Sequence, residues 1–107
     1  MRCVAITGIG VVSPFGLGTT PFWHALRAGR SGIQPITIIP VDGLNTQMAA
    51  EVRYFDPTQH FNKALLGTLD RFSQFALVAA REAIADSGLT LDSDAADRTA
   101  TIIGTGA

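Results

Sequence analysis

The sequence has few of the residues that cross-linking, membrane anchoring and nucleic-acid binding require. Its single cysteine rules out a disulfide framework, so we expect an intracellular, cytoplasmic location. Lysine and arginine total eight against nine acidic residues and form no basic cluster, which argues against nucleic acid and a membrane surface as partners. No apolar run reaches the ~18 residues that span a bilayer, and two glycines and a proline interrupt the apolar start. We predict a soluble chain without a signal peptide.

Apolar residues, by contrast, are abundant. Hydrophobic residues make up 47% of the 107 residues, and charged residues make up only 16%. A chain of this length is a single domain or part of one, and a free-standing domain needs more polar surface than this. Part of the apolar area is therefore expected to face another segment or another chain.

Hydrophobic periodicity and turn residues predict a mixture of strands and helices. The apolar run at residues 3–12 lacks alternation, as is typical of a strand buried on both faces of a parallel sheet. The most regular element is a helix over about 70–87, apolar on more than one side and ended by Gly88. The other predicted elements are a turn at 13–18, a helix capped by Thr20 and stopped by Gly29, a loop at 34–45, a short edge strand at 48–52, a short helix around 63–66 and a second buried strand at 99–104.

This order of elements predicts an α/β fold with parallel crossovers. Two firm strands are too few for an independent domain of that class, because its sheet averages about five or six strands. The order therefore predicts a part of a larger domain.

A glycine pair after the first apolar run invites comparison with a dinucleotide-binding loop. The complete fingerprint needs a third glycine three residues after Gly10, where Ser13 stands, and then the start of a helix, where Pro14 stands. We therefore expect that Gly8 and Gly10 let another segment pack close to a strand.

The residues with nucleophilic, acid–base or metal-binding side chains are too scattered to form a site. Cys3 opens an apolar strand and lacks the helix N-terminus or cationic neighbour of a reactive thiolate, so it is predicted to be a small core or edge residue. His24 and His60 have no cysteine or carboxylate at ligand spacing and are predicted to be solvated. Arg81 and Glu82 are assigned to a solvated helix stripe.

At the start of the long helix, Asp70 is predicted to be a cap and a first-turn carboxylate that complements the helix dipole. Taken by themselves, the residues predict no catalytic, cofactor-binding or metal-ligating position.

Several stretches occur in an order and spacing that is more specific than any one of them. They are residues 7–14 (TGIGVVSP), Phe22-Trp23 with Leu26, 29–33 (GRSGI), 55–57 (FDP), 70–77 (DRFSQFAL), 79–83 (AAREA), 86–89 (DSGL) and 103–106 (IGTG). Together they resemble the N-terminal part of the β-ketoacyl-acyl-carrier-protein synthases, the condensing enzymes of fatty-acid and polyketide synthesis, and in particular the elongating, KAS II-like type.

The resemblance implies a thiolase-like fold, in which two similar α/β halves form αβαβα layers, usually in a homodimer. Residues 1–107 would be a partial N-terminal domain that ends before the catalytic cysteine region. In the implied reaction, that cysteine takes an acyl chain from acyl-carrier protein or coenzyme A. Malonyl-acyl-carrier protein then loses carbon dioxide and its carbanion attacks the thioester. Two histidines assist, backbone N–H groups hold the thioester oxygen, and no organic cofactor is expected.

One stretch departs from the family pattern, and two other functions are considered. Many relatives carry several basic residues just before the Asp70 motif, which meet the acidic carrier protein, whereas in residues 62–69 Lys63 is the only charge. A non-catalytic partner subunit of the chain-length-factor type would keep the fold, lack the cysteine and form a heterodimer. The third hypothesis is a short binding or dimerising module. Residues beyond 107 separate the first two hypotheses, by showing a cysteine or its replacement.

Overall fold

A long helix organises the architecture of the computed structural model, which describes residues 3–106. The helices are α1 (Thr19–Arg27), α2 (Lys63–Leu66), α3 (Arg71–Ser87) and α4 (Ser93–Asp97), with a 3-10 helix at Pro57–Gln59. The strands are β1 (Val12–Ser13), β2 (Gly16–Leu17), β3 (Gln34–Pro35) and β4 (Met48–Ala49). α3 confirms the predicted long helix, and α2 confirms the predicted short one.

The strands form two short antiparallel pairs. Val12 lies opposite Leu17 in the β1–β2 hairpin, and Gln34 lies opposite Ala49 in the β3–β4 pair. The first hairpin lies within the predicted turn region at 13–18, and β4 falls within the predicted edge strand at 48–52. Within residues 3–106 the predicted parallel crossovers are not formed, because both strand pairs are antiparallel.

The two apolar runs predicted to be buried strands are exposed over much of their length. In the first run, Val4 is 96% exposed and Ile6 is 86% exposed. In the second, Ile102 is 93% exposed, and residues 99–106 form no strand. The predictions of burial at 3–12 and 99–104 are therefore wrong for the described residues, because residues 3–11 and 99–104 have no neighbouring strand to bond to.

The N-cap of helix α1 lies two residues before the predicted cap, Thr20. Its N-cap is Gly18, which has φ +93° and no side chain, so the capping acceptor comes from another element. The other end follows the prediction. Gly29 has φ +63°, its N–H donates to the Leu26 carbonyl, and the Arg30 N–H donates to the Ala25 carbonyl. These two bonds form the Schellman arrangement that ends helices at glycine.

The boundaries of α3 agree with the sequence pattern. Asp70 occupies the N-cap position with extended backbone, although its side chain makes no capping hydrogen bond. Gly88 ends the helix in the left-handed conformation, at φ +65°. The following short helix, α4, was not predicted. It is capped by Asp92, whose carboxylate accepts the N–H of Ala95 at 2.8 Å.

Only a small core is buried. Ala25 in α1, Phe55 and Phe61 are the buried hydrophobic residues of the described chain, and Ser13 and Gln74 are the buried polar ones. The amide nitrogen of Gln74 donates to the Leu69 carbonyl at 3.0 Å, which satisfies it inside α3's first turn. Phe55 packs on Phe75 of α3, so part of the core lies where the 55–61 turn meets that helix, and Ala25 is buried on α1.

Candidate functional site

Backbone contact joins the N-terminal segment to α3. A Cβ added at Gly10 would overlap the carbonyl oxygen of Ala79 and lie 2.8 Å from the Ala83 nitrogen. A Cβ added at Gly8 would lie 2.6 Å from the nitrogen of Ser87. These distances are shorter than a side chain permits, so only glycine fits at both positions. The expectation that these glycines allow close packing is confirmed.

Two carboxylates on the same helix bond the N-terminal segment through its main chain. The Val11 N–H donates to Glu82 Oε2 at 2.8 Å, and the Thr19 N–H donates to Oε1 at 3.2 Å. One turn later, Asp86 Oδ2 accepts the N–H of Ile9 at 2.9 Å. The assignment of Glu82 to a solvated stripe is therefore wrong. It is half-buried and supplies the acceptor that α1 lacks at its own N-cap.

Aromatic and cationic side chains attach the 55–61 turn to α3. The rings of Phe55 and Phe75 meet edge to face at 4.9 Å. The guanidinium of Arg71 lies 5.4 Å and 5.0 Å from these two ring centroids and donates to the Val52 carbonyl at 2.7 Å. Cation–π contacts of this kind add to the burial of the rings. Arg71 therefore links the 55–61 turn and the segment before it to α3.

His60 and Arg81 belong to the same cluster. The imidazole of His60 stacks on Phe55 at 5.2 Å with an interplanar angle of 9°, so the prediction of a solvated His60 is wrong. Arg81 lies over the ring of Phe61 at 5.0 Å and donates to the carbonyl of His60. The predicted solvent-facing stripe is thus partly occupied by contacts to the turn. His24, in contrast, is exposed as predicted.

A third carboxylate, that of Glu51, accepts main-chain N–H groups of the segment that follows β3. Glu51 accepts the N–H groups of Thr37 and Ile38, both at 3.0 Å, and pairs with Arg53 at 2.9 Å. Burial acts to raise the pKa of Glu51, but the hydrogen bonds from Ile38, Thr37 and Arg53 outweigh it and hold that pKa below its ordinary value. Arg53 also donates to the Pro35 carbonyl at 2.8 Å.

A small polar pocket of about 170 Å³ lies beside this ion pair. The Tyr54 hydroxyl donates to the Ser13 carbonyl at 2.7 Å, and burial raises its pKa above the ordinary value. Arg30 on the other side lies 5.4 Å from the Phe15 ring centroid. Glu51 and Arg53 neutralise each other, and the guanidinium of Arg30, which also lines the pocket, adds one positive charge.

An apolar groove of about 1100 Å³, much larger than the polar pocket, lies between α3 and the segment after α4. We call it the α3 groove. Its helix side carries Phe72, Ala76, Leu77 and Ala80, and its other side is residues 101–106. Phe72 is 66% exposed within it. The groove has no charged lining residue, so it suits apolar side chains or a hydrocarbon chain rather than a polar ligand.

The remaining candidates from the sequence are a metal site, Cys3 and the two histidines. Residues 3–106 contain no cluster of three or more His, Cys, Asp or Glu that would hold a metal ion. Cys3 was predicted to be a core or edge residue, and its exposure excludes the core alternative. Neither histidine side chain forms a hydrogen bond within the described part of the chain. No helix of residues 3–106 has the length and apolar composition needed to cross a membrane.

Comparison with known protein families identifies one family whose pattern covers the chain. The pattern of the family described as "Beta-ketoacyl synthase, N-terminal domain" matches residues 1–107. The chain belongs to the β-ketoacyl synthase family. Its glycine pair, its 55–57 turn and the α3 sequence are therefore parts of a β-ketoacyl synthase N-terminal domain.

Individual relatives agree with this assignment. The chain is 46% identical over 105 residues to 3-oxoacyl-acyl-carrier-protein synthase 2 of Coxiella burnetii, and 98% of the chain is covered. It is 44% identical over 104 residues to the putative polyketide β-ketoacyl synthase 1 of Streptomyces cyaneus, with 96% covered. In each case it spans about a quarter of the relative, 25% and 24%.

A solved structure supports the fold. The ishigamide ketosynthase/chain length factor superposes with a TM-score of 0.70 at 40% identity, over 84% of this chain and 22% of that chain. The predicted class, an α/β part of a thiolase-like fold, is confirmed. The parallel crossovers predicted from the sequence are not formed within residues 3–106, where both strand pairs are antiparallel.

Sequence reasoning missed the two carboxylates of α3. A signal for them was present. Glu82 and Asp86 are four residues apart on a helix, and Gly8 and Gly10 are two apart in an extended run, so both pairs repeat at nearly the same distance. The equal spacing predicts a contact only when the helix and the extended run are known to lie against each other.

Proposed function

We propose that this chain is the N-terminal part of a longer 3-oxoacyl-acyl-carrier-protein synthase of the elongating type. The observation that carries the proposal is the match along nearly the whole chain to 3-oxoacyl-acyl-carrier-protein synthase 2 of Coxiella burnetii, at 46% identity. The proposed reaction is the decarboxylative condensation of an acyl thioester with malonyl-acyl-carrier protein. The catalytic cysteine and both histidines belong to residues beyond 107 in this proposal.

The exposed apolar surface supports the view that these residues are an incomplete domain. Val4, Ile6 and Ile102 are each more than 80% exposed, and the α3 groove is open. Such surface is unfavourable in water by about 25 cal/mol per Å², and large exposed apolar patches mark sites of contact. Further strands of the same domain would cover these runs and complete the parallel sheet.

The proposed role of this chain is structural. α3, with the N-terminal segment bound to it, forms one layer of the domain, and the groove between α3 and residues 101–106 receives apolar groups. The proposal includes acyl-carrier protein as a partner, a dimer as the assembly and the cytoplasm as the location. In residues 62–69 Lys63 is the only cation, so the main attraction for an acidic carrier protein is expected to come from other residues.

A second candidate function is a non-catalytic partner subunit. The observation in its favour is the likeness to the ishigamide ketosynthase/chain length factor, at 40% identity. Such a subunit would keep the fold and lack the nucleophilic cysteine. It would act only in a complex with a catalytic ketosynthase.

The first measurement is the intact mass of the native protein in its source cells. A mass several times 11.3 kDa supports a longer synthase, and a mass of 11.3 kDa refutes it. The purified protein is then given acyl-acyl-carrier protein and malonyl-acyl-carrier protein, and carbon dioxide and β-ketoacyl product are measured. Equal amounts of both from the protein alone support the synthase. Turnover only with a co-purified ketosynthase supports the partner subunit.

A further inference from the structure

The main-chain bonds made by α3 to the N-terminal segment form a regular series. Glu82 accepts the N–H of Val11, and Asp86 accepts the N–H of Ile9. Asp86 lies four residues after Glu82, and Ile9 lies two residues before Val11. The glycine contacts follow the same rule. Gly10 lies against Ala79 and Ala83, and Gly8 lies against Ala83 and Ser87. Each step of two residues along the segment is matched by a step of four along the helix, in the opposite direction.

This series determines the conformation of the segment. Four residues of α-helix rise about 6 Å, and two residues of extended chain rise about 6.6 Å. The two repeats agree, so residues 8–11 run extended and antiparallel to α3. In an extended chain alternate residues point their N–H and C=O groups to the same edge. The N–H groups of Ile9 and Val11 therefore share one edge.

Three of the four backbone groups that Ile9 and Val11 present on that edge are already bonded within this chain. Both N–H groups bond to carboxylates, and the Val11 carbonyl accepts the N–H of Gly18 at 2.8 Å. Within residues 3–106, no backbone hydrogen bond involves Gly8 or Gly10, whose groups face the opposite edge. The two edges of the segment thus differ in what they can bind.

We propose that Glu82 and Asp86 form a carboxylate clamp that takes the place of a neighbouring strand at residues 9–11. The clamp sets the register of the segment on α3 and closes this edge to strand addition. A strand that pairs with residues 8–10 is thereby directed to the edge of Gly8 and Gly10. The clamp is a property of the fold, and it holds whether or not the longer protein is catalytic.

Glu82 has a further task in the clamp. Val11 precedes β1 and Thr19 follows β2, so the two carboxylate oxygens join both ends of the hairpin to one side chain. A Cβ at Gly18 would lie 3.1 Å from Oε1, so glycine gives the carboxylate its access. Removal of Glu82 therefore affects the hairpin and the start of α1 together, whereas removal of Asp86 affects only Ile9.

Amide hydrogen exchange in the intact protein tests the clamp. In Glu82→Ala, exchange at Val11 and Thr19 is expected to be about tenfold faster or more, the loss of a charge-assisted bond, with α3 itself unchanged. In Asp86→Ala, only Ile9 is expected to change. Asp94→Ala, which removes a carboxylate from an exposed pair with Arg98, is the control and leaves all three amides unchanged.

Unchanged protection of these amides in a Glu82→Ala, Asp86→Ala double variant would overturn the proposal, because another strand would then occupy the edge. Glu82→Gln serves if the alanine variants do not fold. Its amide offers one oxygen acceptor and a donor in place of the second, so one of Val11 and Thr19 loses protection and the other keeps it. Equal, wild-type protection of both amides in this variant contradicts the clamp.

Discussion

The two apolar runs, residues 3–11 and 99–106, meet α3 in different ways. The first contacts the helix backbone through Gly8 and Gly10 and is bonded by two carboxylates. The second also has two glycines, Gly104 and Gly106, but neither has a neighbouring atom within 4 Å of where its Cβ would be. The first run is fastened to the helix, and the second borders an open groove.

The difference shows that apolar composition alone does not make a segment pack on a helix. Both runs are rich in isoleucine, yet Ile6 and Ile102 are both more than 80% exposed. What separates the runs is the presence of side-chain carboxylates on the facing helix, which accept main-chain N–H groups, and of glycines that face the helix. Buried amide groups need a partner, and a helix has spare acceptors only in its side chains.

The largest effect is expected from a methyl group at the tight contact. Gly10→Ala puts a Cβ into the Ala79 carbonyl, and backbone atoms cannot move aside cheaply. The free energy of unfolding should fall by about 3 kcal/mol or more, as measured by urea denaturation. Gly67→Ala, whose Cβ would make only ordinary contacts of 3.6 Å or more, is the control and should change it by less than about 0.5 kcal/mol. Equal effects of both substitutions would show that the contact of the first run with α3 is not tight.

The second run gives a test of the proposed longer domain. Ile102 is 93% exposed in residues 3–106, so Ile102→Ser would have little effect if that surface remained open. In the intact protein we expect a loss of about 2 kcal/mol, the cost of removing a buried isoleucine, from thermal or urea unfolding. Ile102→Val should cost less, about 1 kcal/mol. If Ile102→Ser lowers the free energy of unfolding by only a few tenths of a kcal/mol, nothing covers this run.

A smaller effect is expected at the aromatic cluster, the other attachment of α3. Arg71→Met keeps the aliphatic stem but removes two cation–π contacts and the bond to the Val52 carbonyl. A loss of about 1 kcal/mol is expected in the same unfolding measurement, because Arg71 is exposed. Arg98→Met breaks an exposed pair with Asp94 and should change stability by only a few tenths of a kcal/mol. Similar losses in both variants would argue against the cluster.

The smallest effect is confined to acid. The pKa of Glu51 is held below its ordinary value of 4.5, so its contribution to stability is present above that value. The contribution is lost as the pH falls below about 4.5 and through the lower, folded pKa. Wild type should therefore lose more stability than Glu51→Gln between pH 5 and pH 3. Parallel pH curves would show that the bonds from Thr37 and Ile38 do not depend on the charge.

The local elements could be read from the sequence where one residue type decides the outcome. Gly29 and Gly88 end α1 and α3 as predicted, because glycine reaches positive φ without strain. The α3 periodicity and the short α2 were also predicted. The N-cap of α1 was not, since Thr20 is a good cap by composition but the acceptor comes from Glu82, 63 residues away from Thr19.

The site residues were harder to predict for the same reason. Glu82, Arg81 and His60 look like surface groups from their own neighbours in the sequence. Each acquires its role from a partner on a different element: the N-terminal amides, the Phe61 ring and the Phe55 ring. Helical periodicity gives the side of a helix on which a residue lies, but not what lies opposite.

The sequence by itself determined the family and the long helix with its glycine end. The helix follows from local propensity and hydrophobic periodicity, and the family follows from motifs spread along residues 1–107. Tertiary structure alone decided which apolar run is fastened to α3 and which carboxylates do so. That choice depends on contacts between elements that are far apart in the chain. Four helical residues rise about 6 Å, close to the rise of two extended residues, but this match has an effect only when the helix and the extended segment lie side by side.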